Sequence, residues 1–273
     1  MRKQPIHTTL SKEAYNILER YEHELGNKSA VLEKALIGMD KTRYKSRLNL
    51  RDSQMIVKRV KTGVKGFDDL VEGGIPEGFV TVLTGPPGGG KSTFSMQFLL
   101  EGAEEKSRGI LFSFEEDADQ IAKQFARFGW DIRKYVEAGW IEIYGMSMLT
   151  IEEIVDILET YKPKRVVFDS INVFYEISNL RRSAAWRNLF KYLKQERITS
   201  LGVTEKSHGL EIKNFDDFDF MGDGIVYLDK TIMGKNVTHN LSVLKMRGTN
   251  VDSTPQEYIF TETGIELTGW VVS

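Results

Sequence analysis

The chain has 273 residues, 37 Lys and Arg against 39 Asp and Glu, a formal net charge of −2 and no cysteine. That length admits one large domain and a small one, the balanced charge gives no global basic field for nucleic acid, and the missing thiols exclude disulfides and cysteine-bound metal. The four histidines, His7, His23, His208 and His239, stand at no metal-ligand spacing. No apolar run approaches the ~20 residues of a membrane span, and MRKQPIHTTL lacks the apolar centre of a signal peptide. A cytoplasmic protein with no membrane segment is expected.

Residues 1–48 read as a small unit. PIHTTL alternates in the manner of a strand, with Ile6, Thr8 and Leu10 on one face. Ser11 then caps a helix in SKEAYNILERYEHELG, in which Ala14, Ile17, Leu18 and Tyr21 form the apolar stripe, and Gly26 ends it. NKSAVLEKALIGM opens a second helix with Val31, Leu32, Ala35 and Leu36 inward. Strand, helix and helix within fifty residues make too little core to stand alone. The pattern, including GNKSAVLEKAL at the second helix, resembles the ribbon-helix-helix domain. That resemblance implies that two chains pair their strands and share a core. The segment DKTRYKSRLNLRDSQ, rich in Lys and Arg, leads out, and residues 49–54 form a basic linker.

From residue 55 to 273 strands and helices alternate. FVTVLT, GILFSF, WIEIYG, KRVVFDS and ITSLGVTEK read as buried strands, with KSTFSMQFLLEGAEE, DADQIAKQFARFG, TIEEIVDILETY and SAAWRNLFKYLKQE as the helices between them. This order predicts an α/β domain with a mainly parallel sheet covered on both faces. At the end, GIVYLDKTIMGKNVTHNLSVLKMR holds two extended runs around GKN and predicts an antiparallel hairpin.

GPPGGGKST directly follows the strand Phe79 to Thr84 and opens a helix, the context that gives a Walker A phosphate loop. Gly85, Pro86, Pro87, Gly88, Gly89 and Gly90 form the loop, and its glycines let N–H groups converge on phosphate oxygens. Lys91 is expected to neutralise the β- and γ-phosphates of ATP, and Ser92, followed by Thr93, to ligate Mg²⁺. Mg²⁺ also needs a nearby carboxylate, and Asp169 ends a strand at the sheet edge where open α/β sheets bind ligands. Glu115 and Glu116 end another strand at that edge. A carboxylate there can orient a water against the γ-phosphate and accept its proton, with Glu115 inward and the later acids as helix caps.

In SVLKMRGTN, Lys245 and Arg247 are two apart on a strand and share a face, so an anion is expected opposite them. A surface ion pair would satisfy them, and so would a phosphate.

Five stretches, in order, resemble the RecA-type ATPase domain of the KaiC family: TGVKGFDDLVEGGIPEGFVTVLTGPPGGGKSTFSMQFLLEGA, SFEED, VVFDS, FDFMGDGIVYL and LKMRG. The resemblance covers roughly residues 55–273. It implies a RecA-like P-loop fold and ATP hydrolysis in a homo-oligomeric ring, typically a hexamer, with nucleotide between neighbours. It further implies that Glu115 and Glu116 activate water, and that Lys245 and Arg247 reach a neighbour's γ-phosphate, as an arginine finger does. The clock member of that family carries two such domains in tandem, whereas this chain has one, so a regulatory ATPase is expected and no clock function is inferred.

Two other readings compete. A RecA-like recombinase would line its channel with NVFYEISNLRRS, holding Arg181 and Arg182, and SHGLEIKNFDDFDFMGD. The second carries Glu211, Asp216, Asp217, Asp219 and Asp223, which repel phosphate. Alternatively, an ATP-switched regulator would bind DNA through residues 1–48, presenting Gln4, His7 and Thr9 to a major groove beside Arg2 and Lys3. Autophosphorylation on Ser or Thr is a third activity the resemblance allows, with hydrolysis the simpler expectation for one domain.

Overall fold

The computed structural model describes residues 11–32, 57–145, 149–172, 184–206, 221–233 and 236–270. The chain divides into two compact units, Met1–Met55 and Ile56–Ser273.

In the first unit, helix α1 spans Lys12–Leu25. The Ser11 hydroxyl accepts the Ala14 N–H at 3.2 Å, and Gly26, at φ 86°, closes the helix by donating to the Glu22 carbonyl. The Asn27 side chain then accepts the Ala30 N–H at 2.8 Å, and residues 28–32 are helical. Of the apolar stripe, Leu18 is buried and Ala14 half-buried, while Ile17 and Tyr21 remain 49% and 44% exposed. So short a unit has too little apolar surface to cover a whole helix face. The expected strand PIHTTL, the end of the second helix and the basic linker lie outside the described residues.

The second unit begins with a two-stranded ribbon, β1 (Arg59–Val60) against β2 (Ile75–Pro76), around the short helix α2 (Phe67–Leu70). The phosphate-loop strand β3 (Val80–Gly85) leads to helix α3 (Lys91–Glu104). Then come β4 (Gly109–Ser113), α4 (Ala118–Phe125), α5 (Ile132–Glu137), β5 (Ile141–Gly145), α6 (Ile151–Tyr161), β6 (Arg165–Asp169), α7 (Ala184–Gln195) and β7 (Thr199–Glu205). The chain ends with β8 (Gly224–Met233), β9 (Asn236–Met246), β10 (Gln256–Thr261) and β11 (Gly264–Trp270).

One nine-stranded sheet has the order β11-β10-β9-β8-β3-β7-β6-β4-β5. Strands β5, β4, β6, β7, β3 and β8 pair in parallel, and β8 to β11 pair antiparallel. The parallel part follows from the alternating strands and helices, since each crossover returns the chain to the same sheet edge. The antiparallel part is wider than the single expected hairpin: QEYIFT and GIELTGW form a second one.

Alternate side chains of each strand enter different cores. Leu83 and Val167 join Phe94, Phe98, Ile121, Phe125 and Ile132 on one face. Val82, Val166 and Phe168 join Ile154, Leu158, Trp186, Leu189 and Leu193 on the other. The parallel strands are buried on both sides, as their continuous apolar runs require. Helix α3 is enclosed almost all round because it also meets the second hairpin. The Gln97 amide donates to the Gly63 and Ile265 carbonyls and accepts the Ile265 N–H at 2.7 Å. Arg165, fully buried, donates to the Lys61 and Phe98 carbonyls and to the Glu105 carboxylate, each at 2.7 Å. No described helix is long and apolar enough to cross a membrane.

Candidate functional site

Parallel strands end together, so β3, β4, β6 and β7 deliver Gly85, Ser113, Asp169 and Glu205 to one sheet edge. Ser113 is in register with Asp169, and Gly85 with Glu205. Gly85 has φ 145°, and a Cβ there would stand 2.0 Å from the Leu228 carbonyl oxygen of β8, so no other residue fits. The loop Gly85–Gly90 leads into α3, where Gly90 (φ 83°) lies against the rings and methyls of the second hairpin. A Cβ there would meet Phe260 at 2.8 Å and Ile265 at 2.9 Å. The buried Tyr258 hydroxyl donates to the Gly89 carbonyl.

Lys91, 6% exposed, donates to the Gly85 and Pro86 carbonyls at 3.0 and 2.9 Å. Burial lowers its pKa, opposed by the charges of Glu205, Asp169 and Glu115. A buried ammonium curled onto its own loop, with carboxylates on several sides, fits an anion that enters the loop. The Ser92 hydroxyl bonds the half-buried Asp169, whose pKa burial raises to about 6 against the pull of Ser92 and Lys91. Hard oxygen donors of this kind suit Mg²⁺. Thr93 is buried in the first turn of α3.

Glu115 and Glu116 follow β4, and their charges act on Asp169. Glu116 is half-buried, with its N–H donating to the Ser113 hydroxyl at 3.1 Å, while Glu115 is exposed rather than turned inward. Asp117, the next acid, caps α4 by accepting the Gln120 N–H at 2.8 Å.

Lys245 and Arg247 lie elsewhere. Strand β9 runs antiparallel to β8 and ends at Met246, level with Gly224 and hence with the start of β3. The register skips Leu244, and Arg247 falls in the turn after the strand. Both cations reach the turn before β8. Lys245 donates to the Gly222 carbonyl at 2.6 Å, and an Arg247 terminal nitrogen donates to Asp223 Oδ1 at 3.2 Å. Five steps of β3 separate this edge from the phosphate loop, about 17 Å at ~3.3 Å per residue.

Sequence reasoning passed over three residues at the loop. Glu205 lies 4.0 Å from the Lys91 ammonium. It ends a strand as Asp169 does, so the same rule would have found it. The Lys230 ammonium stands 3.4 Å from a Cβ placed on Gly88. That contact and the Tyr258 bond depend on strand order, which left no local signal. Of the two loops weighed for a DNA channel, residues 173–183 and 207–220, with Arg181, Arg182 and His208, lie outside the described residues, whereas Asp223 at the end of the second is described and is paired with Lys194 and Arg247.

A doubly covered, mainly parallel sheet with a glycine loop at its strand ends, extended by antiparallel strands, is a RecA-type P-loop architecture. A family model for the KaiC ATPase matches residues 60–269, and one described as a family N-terminal domain matches residues 10–43. UPF0273 protein PF1931 of Pyrococcus furiosus is 34% identical over 235 residues, covering 77% of this chain and 94% of that one. The circadian clock oscillator protein KaiC of Synechococcus elongatus is 31% identical over 240 residues, 80% of this chain and 46% of that one. The crystal structure of KaiC-like protein PH0186 from Pyrococcus horikoshii OT3 superposes with a TM-score of 0.69. It is 29% identical and covers 78% of this chain and 99% of that one. The chain belongs to the KaiC ATPase family and carries a single domain of that kind.

Proposed function

We propose that this chain hydrolyses ATP in a homo-oligomeric ring, with the nucleotide held between neighbouring copies. Residues 55–273 are the ATPase domain, and residues 1–48, joined by the linker 49–54, are a pairing domain. The N–H groups of Gly85–Gly90 and the start of α3 receive the phosphates, with Thr93 fixing the first turn. Pro86 and Pro87 stiffen the loop without competing donors. Lys91 exchanges its loop carbonyls for phosphate oxygens. Ser92 and Asp169 would hold Mg²⁺, which when bound offsets charge on the phosphates. Glu115 orients the attacking water and accepts its proton, and Glu116 supports it from its half-buried position. Lys245 and Arg247 serve the neighbour's site.

The observation that carries this reading is the separation of the two edges. Arg247 follows the strand end level with the start of β3, about 17 Å from the chain's own loop by strand length, too far for a side chain to cross. A finger made of these residues therefore has to act on another copy. The exposed Glu115 supports the same reading, because a water-activating carboxylate works best where a neighbour excludes bulk solvent.

The test is particle mass by sedimentation with ATP and with ADP, alongside specific ATPase activity over a dilution series. Assembly with ATP, and activity per chain that falls on dilution, are the expected results. A monomer with concentration-independent turnover would refute the ring.

A further inference from the structure

Asp223 is a nearly buried carboxylate beside the proposed finger, and the phosphate loop does not use it. Its side chain is 6% exposed and sits where three elements converge. Its N–H donates to the Val80 carbonyl at 2.7 Å, and its own carbonyl accepts the Arg247 N–H at 2.9 Å. Its carboxylate accepts the Val80 N–H at 3.2 Å, Lys194 of α7 at 2.9 Å and Arg247 at 3.2 Å. The carboxylate is thus anchored to the first residue of β3, and its position is set by the sheet rather than by a mobile loop. Arg247 is 59% exposed and gives it one terminal nitrogen.

We propose that Asp223 is the positioning residue for Arg247, holding the guanidinium by one nitrogen so that its remaining N–H groups face outward to a neighbouring copy's phosphate. This rests on the reading that Arg247 acts in trans. A long side chain held at one corner loses little further freedom when it meets its target, which is how a positioned charge contributes more than a mobile one. Lys194 gives the same carboxylate a second cation, so it stays paired when Arg247 turns part of its hydrogen bonding toward phosphate. Contact between Asp223 and the reacting atoms is not needed.

The test uses mixed assemblies of full-length chains, verified by native mass. A Lys91→Ala chain contributes only a finger, and an Arg247→Ala chain contributes only a cradle. Their mixture should recover part of the parent activity. Asp223→Asn is then added to one chain at a time. On the finger chain, the recovered kcat should fall roughly tenfold, the low end for loss of one charge-assisted hydrogen bond, with the KM for ATP unchanged. Asp223→Glu there should return part of that loss. On the cradle chain, Asp223→Asn should leave recovery equal to that of the unmodified mixture. Equal losses in both placements would mean that Asp223 only holds the fold, and no loss in either would mean that Arg247 is placed without it. Both results overturn the proposal. A starting mixture that recovers nothing would instead defeat the trans reading, and the inference with it.

Discussion

The two edges of the large sheet carry opposite kinds of unfinished business. At the strand ends of β3, β4, β6 and β7, a buried lysine lies among carboxylates and a loop of N–H groups, an arrangement that an anion and a divalent cation would complete. At the strand starts, two cations share one fixed carboxylate, and the more exposed of them has donors to spare. Each edge holds what the other lacks, yet the sheet keeps them a strand's length apart. On the function proposed above, this rigid separation is what makes the finger act on a second copy.

The largest expected effect breaks the first edge alone. Lys91→Ala should abolish ATP binding, read with a fluorescent nucleotide analogue, while the Asp223–Arg247 pair at the far edge is undisturbed. Retained tight binding would show that the loop N–H groups suffice. Arg247→Ala breaks the second edge. Hydrolysis by the assembled protein should fall by about 10³ or more, the scale of a lost arginine finger, with ATP binding kept. Turnover at the parent rate would return Arg247 to a surface ion pair. Glu115→Gln sharpens the first edge further: single-turnover hydrolysis should slow by ~10²–10⁴ with nucleotide still bound. If Glu116→Gln were the dead variant and Glu115→Gln active, the water-activating role would move one residue along.

The smallest effect concerns stability. Asp169 titrates near 6 because burial favours its neutral form. The folded chain therefore holds this proton more tightly than the unfolded chain does. Without metal or nucleotide, its contribution to stability falls as pH rises from about 4 through 6 and returns as pH drops. Asp169→Asn should accordingly stabilise the metal-free chain at pH 8 by up to about 3 kcal/mol. The gain should vanish near pH 4 in denaturant melts. A variant less stable than the parent at pH 8 would mean that the Ser92 hydrogen bond and the Lys91 charge outweigh burial.

Local pattern was enough for much of this. Continuous apolar runs ending in Gly85, Asp169 and the pair Glu115–Glu116 announce parallel strands and a shared edge, because side-chain period and turn chemistry are short-range properties. What escaped depends on which strands become neighbours. Lys230 reaches Gly88 only because β8 lies beside β3, and Tyr258 bonds Gly89 only because a second hairpin folds onto α3. In sequence Asp223 is one more acid of a polar loop, because its partners Lys194 and Arg247 come from two different elements. The apolar stripe of α1 is only partly covered, for another reason. Periodicity says which residues share a face, not whether one chain has enough apolar surface to cover it.

The hairpin beneath the glycine loop also sets a timetable. Tyr258 meets Gly89 across 169 positions of chain, and Phe260 and Ile265 close in on Gly90 from the same late segment. A growing polypeptide makes the loop early and its floor nearly last. Until Tyr258, Phe260 and Ile265 have been made, the loop rests on Leu228 of β8 alone among these contacts, so the cradle is completed late in chain growth.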